Sequence, residues 1–343
     1  MQKNVLFGNG INIQFGGSDY LNSSIIKRLE KNISTPGRYT DVFGHTLDAN
    51  DIANLVAELY NWSINYVFKG MKILSLVDNG DELRNAIRII KEHNAQKNSS
   101  ELAVGMEDYF LLMKLFDAQY PQKDRVYTQA EQGLSILFLD ALYNEGKLQT
   151  IFRKMGALRP FISSYDTVFT VNYDTNLDQI SDKRVYHLHG SFETLHHEYD
   201  SATLKGWLME KVKGRLLPVV KGKEYLYCNA ILGYSGEDKW QKIKQYNQIY
   251  EMDVSSIPFA IPADLKQEPY PFKEFNEISG ELDIIGLNPN NDGHLFKAID
   301  SNMKLTMVTY YYHDINQGEI AKKTLSNQRV NLKDVRTIWN HIS

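Results

Sequence analysis

The sequence predicts an α/β protein with a parallel sheet and a large helical insertion after the first strand. Three observations carry this. Short apolar runs such as Val5-Leu6-Phe7 and Thr167-Val168-Phe169-Thr170-Val171 have strand length and end in turn residues. Helical spacing lies between the later runs, as a parallel sheet requires. The stretch 45–162 carries almost nothing but helical spacing.

In chain order, Val5-Leu6-Phe7 reads as a buried strand that breaks at Gly8. Ser23 to Lys31 has helical spacing, and 33–48, with Pro36, Gly37 and Gly44, reads as a loop. Asp51 to Val67 places Ile52, Leu55, Val56, Leu59, Tyr60, Ile64 and Val67 on a helical stripe. Asp81 to His93, Met106 to Phe116, Gln129 to Tyr143 and Gln149 to Ile162 carry similar stripes. Strands then follow at Thr167 to Val171, Arg184 to Leu188, Glu224 to Leu232, Leu282 to Leu287 and Lys304 to Tyr311. Helices are expected at His294 to Ile299, Asp314 to Leu325 and Leu332 to His341. The domain reading is 1–44 with 163–343 as the sheet domain, and 45–162 as the helical insertion.

The chain has 343 residues and is 43% hydrophobic and 23% charged, enough for a sizeable core in one large or two ordinary domains. A net charge of −4 and the lack of a basic-aromatic stretch argue against a nucleic-acid partner. No apolar run approaches the ~20 residues that span a bilayer, and Met1 to Phe7 is too short for a signal peptide. The expectation is a soluble cytoplasmic protein without a membrane partner. A single cysteine, Cys228, excludes an intrachain disulfide and a paired-cysteine zinc ribbon. Its setting, Tyr225-Leu226-Tyr227-Cys228-Asn229, reads as a buried strand with a small core thiol.

Four segments carry candidate chemistry. Gly8-Asn9-Gly10-Ile11-Asn12 follows the first strand, where backbone amides and a helix N-terminus suit a phosphate. The usual third glycine and distal acid are missing. Asn172-Tyr173-Asp174 follows another strand. At such a carboxyl end, Asn172 can hold a sugar hydroxyl or a water, and Asp174 can accept from a carboxamide or cap a following turn. His187-Leu188-His189-Gly190 puts two histidines on one face of an expected strand. With few ligands nearby, a catalytic His189 is preferred there and no metal is expected. His187 supports by packing or hydrogen bonding. The fourth segment is Ile284-Ile285-Gly286-Leu287-Asn288, followed by Asp292 and His294.

Together these segments resemble the sirtuins. Gly8, Gly10, Ile11, Gly16, Asp19 and Tyr20 fall in register with that family's NAD-binding loop. Thr170 to Asp174 resembles its Thr-Gln-Asn-Ile-Asp, His189-Gly190-Ser191 its catalytic His-Gly-Ser, and Ile284 to Asn288 its late strand end. The resemblance covers about 1–20 and 165–310. Leu21 stands where the family has arginine, Asn12 and Asn288 stand for serines, and the zinc ribbon is absent. The pattern is closer to ribbon-less bacterial sirtuin-like and AbiH-like abortive-infection proteins.

The resemblance implies a Rossmann-like fold and an NAD glycohydrolase of antiphage defence, cleaving NAD to nicotinamide and ADP-ribose without a metal. Asn172, His189 and Asp174 are then catalytic. Gly8, Asn9, Gly10, Asn12, Asp19, Tyr20, Gly190, Ser191, Gly286 and Asn288 bind the dinucleotide. Asp292 and His294 are candidates for its adenine end. Unchecked NAD loss is toxic, which implies a gate: homo-oligomer assembly, or activation by an ATPase or a phage component. The alternatives are a module that senses NAD or ADP-ribose without turnover, and a protein ADP-ribosyltransferase or deacylase.

Overall fold

The computed structural model describes residues 2–39, 106–110, 112–113, 124–149, 156–194, 208–210, 215–217, 222–234, 236–251 and 270–342, with isolated residues at 54, 57, 58 and 61. The strands are β1 (Lys3–Phe7), β2 (Thr167–Thr170), β3 (Val185–His187), β4 (Leu208–Glu210), β5 (Arg215–Leu217), β6 (Gly280–Ile285), β7 (Leu305–Tyr312) and β8 (Val330–Asp334). The α-helices are α1 (Asn9–Gly16), α2 (Asn22–Ile33), α3 (Asp124–Tyr143), α4 (Leu158–Ser163), α5 (Gly236–Glu251), α6 (Phe272–Asn276), α7 (Gly293–Asp300), α8 (Ile315–Thr324) and α9 (Arg336–Ile342). None of the described helices is long and apolar enough to cross a membrane.

The chain divides into two compact units. The first comprises 1–20, 145–194 and 236–343, and the second 21–144 and 195–235. The expected boundaries near 44 and 163 therefore differ from the observed division. α2 leaves the sheet unit, 145–162 rejoins it, and 195–235 joins the helical unit. The helix expected over 81–93 and nearly all of that over 51–67 lie outside the described residues.

The first unit holds a six-stranded sheet, ordered β3-β2-β1-β6-β7-β8, with every pair parallel. Numbered among themselves in chain order, the strands run 3-2-1-4-5-6, the doubly wound Rossmann-like order. Its crevice opens where the order reverses, between β1 and β6. Val5, Leu6 and Phe7 have no exposure, as expected of a central strand covered on both faces. On one face Val5, Phe7, Val168 and Ile285 pack with Ile11, Leu158, Ile162, Leu177, Ile338 and Trp339. Alternation sends Leu6 and Ile284 to the other face, where Phe169 meets Phe275 of α6 at 5.3 Å. The sheet ends are the three-residue β3 and the half-buried β8, short or polar as edges need to be.

Three expectations fail here. Glu224 to Leu232 is not a strand: Glu224–Tyr227 is a 3₁₀ turn, followed by a buried, irregular Cys228 to Leu232. An apolar run of this length is buried either way, and periodicity alone does not separate the two. Leu332 to His341 splits into β8 and α9, because Val330 to Asp334 pairs with β7 before the helix begins. His189 lies beyond β3, in a turn completed by Gly190 at φ +82°, so it shares no strand face with His187.

In the second unit α3 is buried on all sides over 133–141. Asp140 falls in that stretch, and a lone buried carboxylate there would be very unfavourable. Five hydrogen bonds answer it. Arg38 donates from Nε at 2.7 Å and Nη2 at 3.0 Å, Tyr39 and Tyr225 hydroxyls donate at 2.6 Å each, and Asn32 donates at 3.0 Å. Burial pushes the Asp140 carboxyl up, but the donors from Arg38, Tyr225 and Tyr39 outweigh it and hold it below its ordinary value. Stability from this group is therefore present above the unfolded carboxyl value of about 4 and is lost as pH falls through the lower folded value. Asp140→Asn should destabilise this unit by about 3–5 kcal/mol at pH 7. Urea unfolding at pH 7 and pH 3 should show the difference shrinking in acid; an equal loss at both would exclude the charged network as its cause.

Candidate functional site

The crevice is built on a contact between two backbones. Gly8 N–H donates to Ile285 O at 2.9 Å, and Gly10 N–H donates to Gly286 O at 3.0 Å. A Cβ on Gly10 would lie 2.5 Å from Gly286 Cα, and one on Gly286, itself at φ +75°, would lie 2.8 Å from Gly10 Cα. The glycines are thus required for the β1–α1 turn to press against the exit of β6. Two amides expected to face a pyrophosphate are engaged by that strand instead. The anion-attracting feature left at the turn is the N-terminal end of α1.

Asparagines and aspartates line this end of the sheet. Asn172 follows β2, with its backbone N–H on Thr170 Oγ1 at 3.1 Å and its side-chain amide on Gly8 O at 3.3 Å. Its carbonyl is braced from behind: His187 Nδ1 donates to Asn172 O at 2.9 Å, and Asp178 takes His187 Nε2 at 3.0 Å. Burial lowers the His187 pKa, but the hydrogen bond and charge of Asp178 outweigh it and leave the pKa raised. His187 is therefore a support, as expected, and Asp178 is its partner.

Asp174 is buried, and both of its oxygens accept hydrogen bonds. Asn12 Nδ2 donates to one at 2.6 Å and the Asn176 backbone N–H to the other at 3.1 Å. The second contact is a turn cap; no helix follows it. Burial raises the Asp174 pKa against those donors. Asn9 donates to Tyr20 O at 3.0 Å, and the Tyr20 hydroxyl donates to Leu148 O and accepts from Asn176 at 2.8 Å. Asn9, Asn12, Tyr20, Asp174 and Asn176 thus form one polar layer behind the β1–α1 turn. The Tyr20 hydroxyl is held in that layer, and Asp19 is exposed in the 3₁₀ turn Gly17–Tyr20.

The third group centres on histidine. His189 Nε2 lies 3.0 Å from His294 Nε2, and the two rings stack at 5.1 Å. His294 occupies the first turn of α7, and Asp292 precedes that helix without a capping hydrogen bond. His189, Asp292 and His294 each offer a ligand atom within 4.8 Å of the others. Lys239 of α5 is 1% exposed and donates to the Tyr173 hydroxyl at 3.1 Å. Burial, then the Lys239 charge, lowers His189 well below the ordinary histidine value and His294 to about 3. Both rings are therefore neutral at pH 7, and one Nε2–H donates to the other Nε2. His294 Nδ1 is buried without a partner, which costs about 1–3 kcal/mol for an unsatisfied polar group.

The remaining expected residues have local structural contacts. Gly190 N–H donates to His187 O at 3.2 Å, and Ser191 Oγ bonds Thr194 Oγ1 at 3.2 Å. Asn288 Oδ1 accepts from Asn290 N–H at 3.0 Å and folds its own loop. Sequence reasoning missed Asp178, Asn176 and Lys239. Nothing in Gly236-Glu237-Asp238-Lys239-Trp240 marks Lys239 as buried. No family model matches the chain, and no curated protein or solved structure is significantly similar to it.

Asp174 yields a test of function against stability. Asn12 Oδ1 is buried without a partner. In Asp174→Asn a half-turn of the Asn12 amide would offer that oxygen to the new Nδ2, and the turn cap would persist. With a raised folded pKa, the wild-type carboxyl opposes folding increasingly as pH rises above its unfolded value of about 4. Asp174→Asn should therefore match or exceed wild type in thermal stability at pH 7, its advantage fading toward pH 4. A clear loss at pH 7 would mean that the carboxylate is there for structure.

Proposed function

We propose that the chain cleaves the nicotinamide–ribose bond of NAD, giving nicotinamide and ADP-ribose. The observation that carries this reading is that Asn172, Asp174 and His189 all follow the carboxyl ends of β2 and β3 in a parallel sheet of dinucleotide-binding order. The α1 N-terminus lies at the same end. Such crevices take a nucleotide across the strand ends.

In this reading the diphosphate lies at the α1 N-terminus, near Asn9. Asp174 accepts from the carboxamide of the leaving nicotinamide. The glycosidic C–N bond breaks toward an oxocarbenium-like ribose, the electron pair leaving with neutral nicotinamide. A water held by Asn172 forms the new C–O bond and gives its proton to His189. Burial and the Lys239 charge keep the imidazole neutral, the form that accepts a proton, while weakening it as a base. The Asp178–His187 brace fixes Asn172 in register. Because free NAD cleavage is toxic, the reading includes a gate by self-assembly or by an activating partner, as in antiphage defence.

A second reading, a sensor of NAD or ADP-ribose without turnover, is favoured by Leu21, Asn12 and Asn288 standing where the sirtuin pattern has arginine and serines. Product analysis separates the two. Purified protein should release nicotinamide and ADP-ribose, and His189→Ala and Asn172→Ala should each turn over at least ~100-fold more slowly. Undiminished turnover in both variants would overturn the assignment. NAD bound tightly but left intact would establish the sensor, and label transferred to protein would establish a transferase.

A further inference from the structure

We propose that His189, Asp292 and His294 form a binding site for one divalent transition-metal ion, of the zinc class. One ligand atom from each side chain lies within 4.8 Å of the other two. The His189 and His294 Nε2 atoms face each other at 3.0 Å. Two imidazole nitrogens at about 2.0–2.1 Å from one tetrahedral zinc lie roughly 3.3–3.4 Å apart, so the rings need part by only about 0.3 Å to reach the separation of neighbouring ligands. His294 Nδ1, on the far edge of its ring, is buried without a partner; a metal at Nε2 leaves it so, which lowers the expected affinity. The third ligand is the Asp292 carboxylate, at the head of α7.

Two neutral imidazoles and one carboxylate select the metal. Calcium and magnesium prefer all-oxygen sets. Nitrogen with one carboxylate oxygen suits zinc, and more broadly first-row divalent ions with an open position. Imidazole ligates in its neutral form. The ligand atoms lie within 4.8 Å of one another, so any further closing on an ion takes only small side-chain movements. Lys239 opposes the ion, being buried near both rings, while Asp292 supplies the compensating negative charge. The affinity is therefore below that of an unopposed site. A His189 nitrogen given to a metal has no lone pair for a proton, so metal-bound and general-base histidine are alternative states of one residue. Metal alone is the probe, so failure here is distinguishable from failure of NAD cleavage.

The test uses the whole protein after chelator treatment. Calorimetry with zinc and absorbance titration with cobalt(II) should each give one ion per chain, with visible d–d bands that zinc displaces. His294→Gln, which keeps the side chain polar, and Asp292→Asn should each weaken zinc at least ~10-fold, whereas His313→Ala on the surface should bind as wild type does. Circular dichroism of each variant verifies the fold. Absence of stoichiometric zinc on wild type, or unchanged affinity in both His294→Gln and Asp292→Asn, would overturn the site.

Discussion

Contact between the β1–α1 turn and the exit of β6 fixes everything else in the crevice. It is a contact of backbone on backbone, with Gly8 and Gly10 donating to the carbonyls of Ile285 and Gly286. Any side chain at Gly10 would wedge the two central strands apart at their carboxyl ends. With it closed, Asn9 and Asn12 are set beside the ends of β1 and β2. On the other side, the chain leaving β6 runs through Asn288 to Asp292 and His294. A parallel sheet gains from this arrangement because its functional end is also where the strand order reverses. The glycines thus act first as a structural joint, and ligand binding depends on what the joint leaves uncovered.

The sequence made the sheet legible and the site only partly so. β1, β2 and β6 are central, so both faces are buried, and their apolar runs are unmistakable in Val5-Leu6-Phe7 and Ile284-Ile285. β8 is an edge strand, half exposed along Val330 to Asp334, and such alternation blends into the amphipathic helix that follows. The Tyr225 region is opaque for a different reason. Its apolar residues are buried, and Tyr225 is also turned toward Asp140, a partner far away in sequence. Asp140 itself sits in an apolar helix where only the folded unit explains its charge. Asn172 and His189 were visible because each follows closely on a strand whose apolar run marks where the sheet ends. Lys239 was invisible because a lysine in a polar stretch reads as solvated, and only tertiary packing buries it.

Two kinds of polar group occur in the sheet unit, and they answer different demands. Asn4, in β1, donates from its side chain to Ser279 O and Glu281 O at 2.8 and 2.9 Å, and so satisfies backbone at the far end of β6. Asp178 and His187 similarly answer the carbonyl of Asn172. These contacts explain their own residues, because removing one leaves a buried partner unmatched. Asn12, Asn176 and His294 each keep a buried polar atom without a partner, as Asn4 does at its Oδ1. Folded proteins rarely leave such atoms without cause, and three of the four in this unit belong to the groups lining the crevice end.

The histidine pair sharpens this contrast. A purely structural design would place hydrocarbon where His189 and His294 stand, since two neutral imidazoles and a buried ammonium are unfavourable to desolvate. Instead Lys239 reaches Tyr173, in the loop between Asn172 and Asp174, and biases both rings toward their unprotonated forms. An unprotonated imidazole has a lone pair, whether for a proton from water or for a metal ion. The lysine therefore has one electrostatic effect that serves either chemistry. It also divides them, because its positive charge repels a metal ion but not a neutral water. Under the two proposals, the balance between Lys239 and Asp292 sets which of the two His189 accepts.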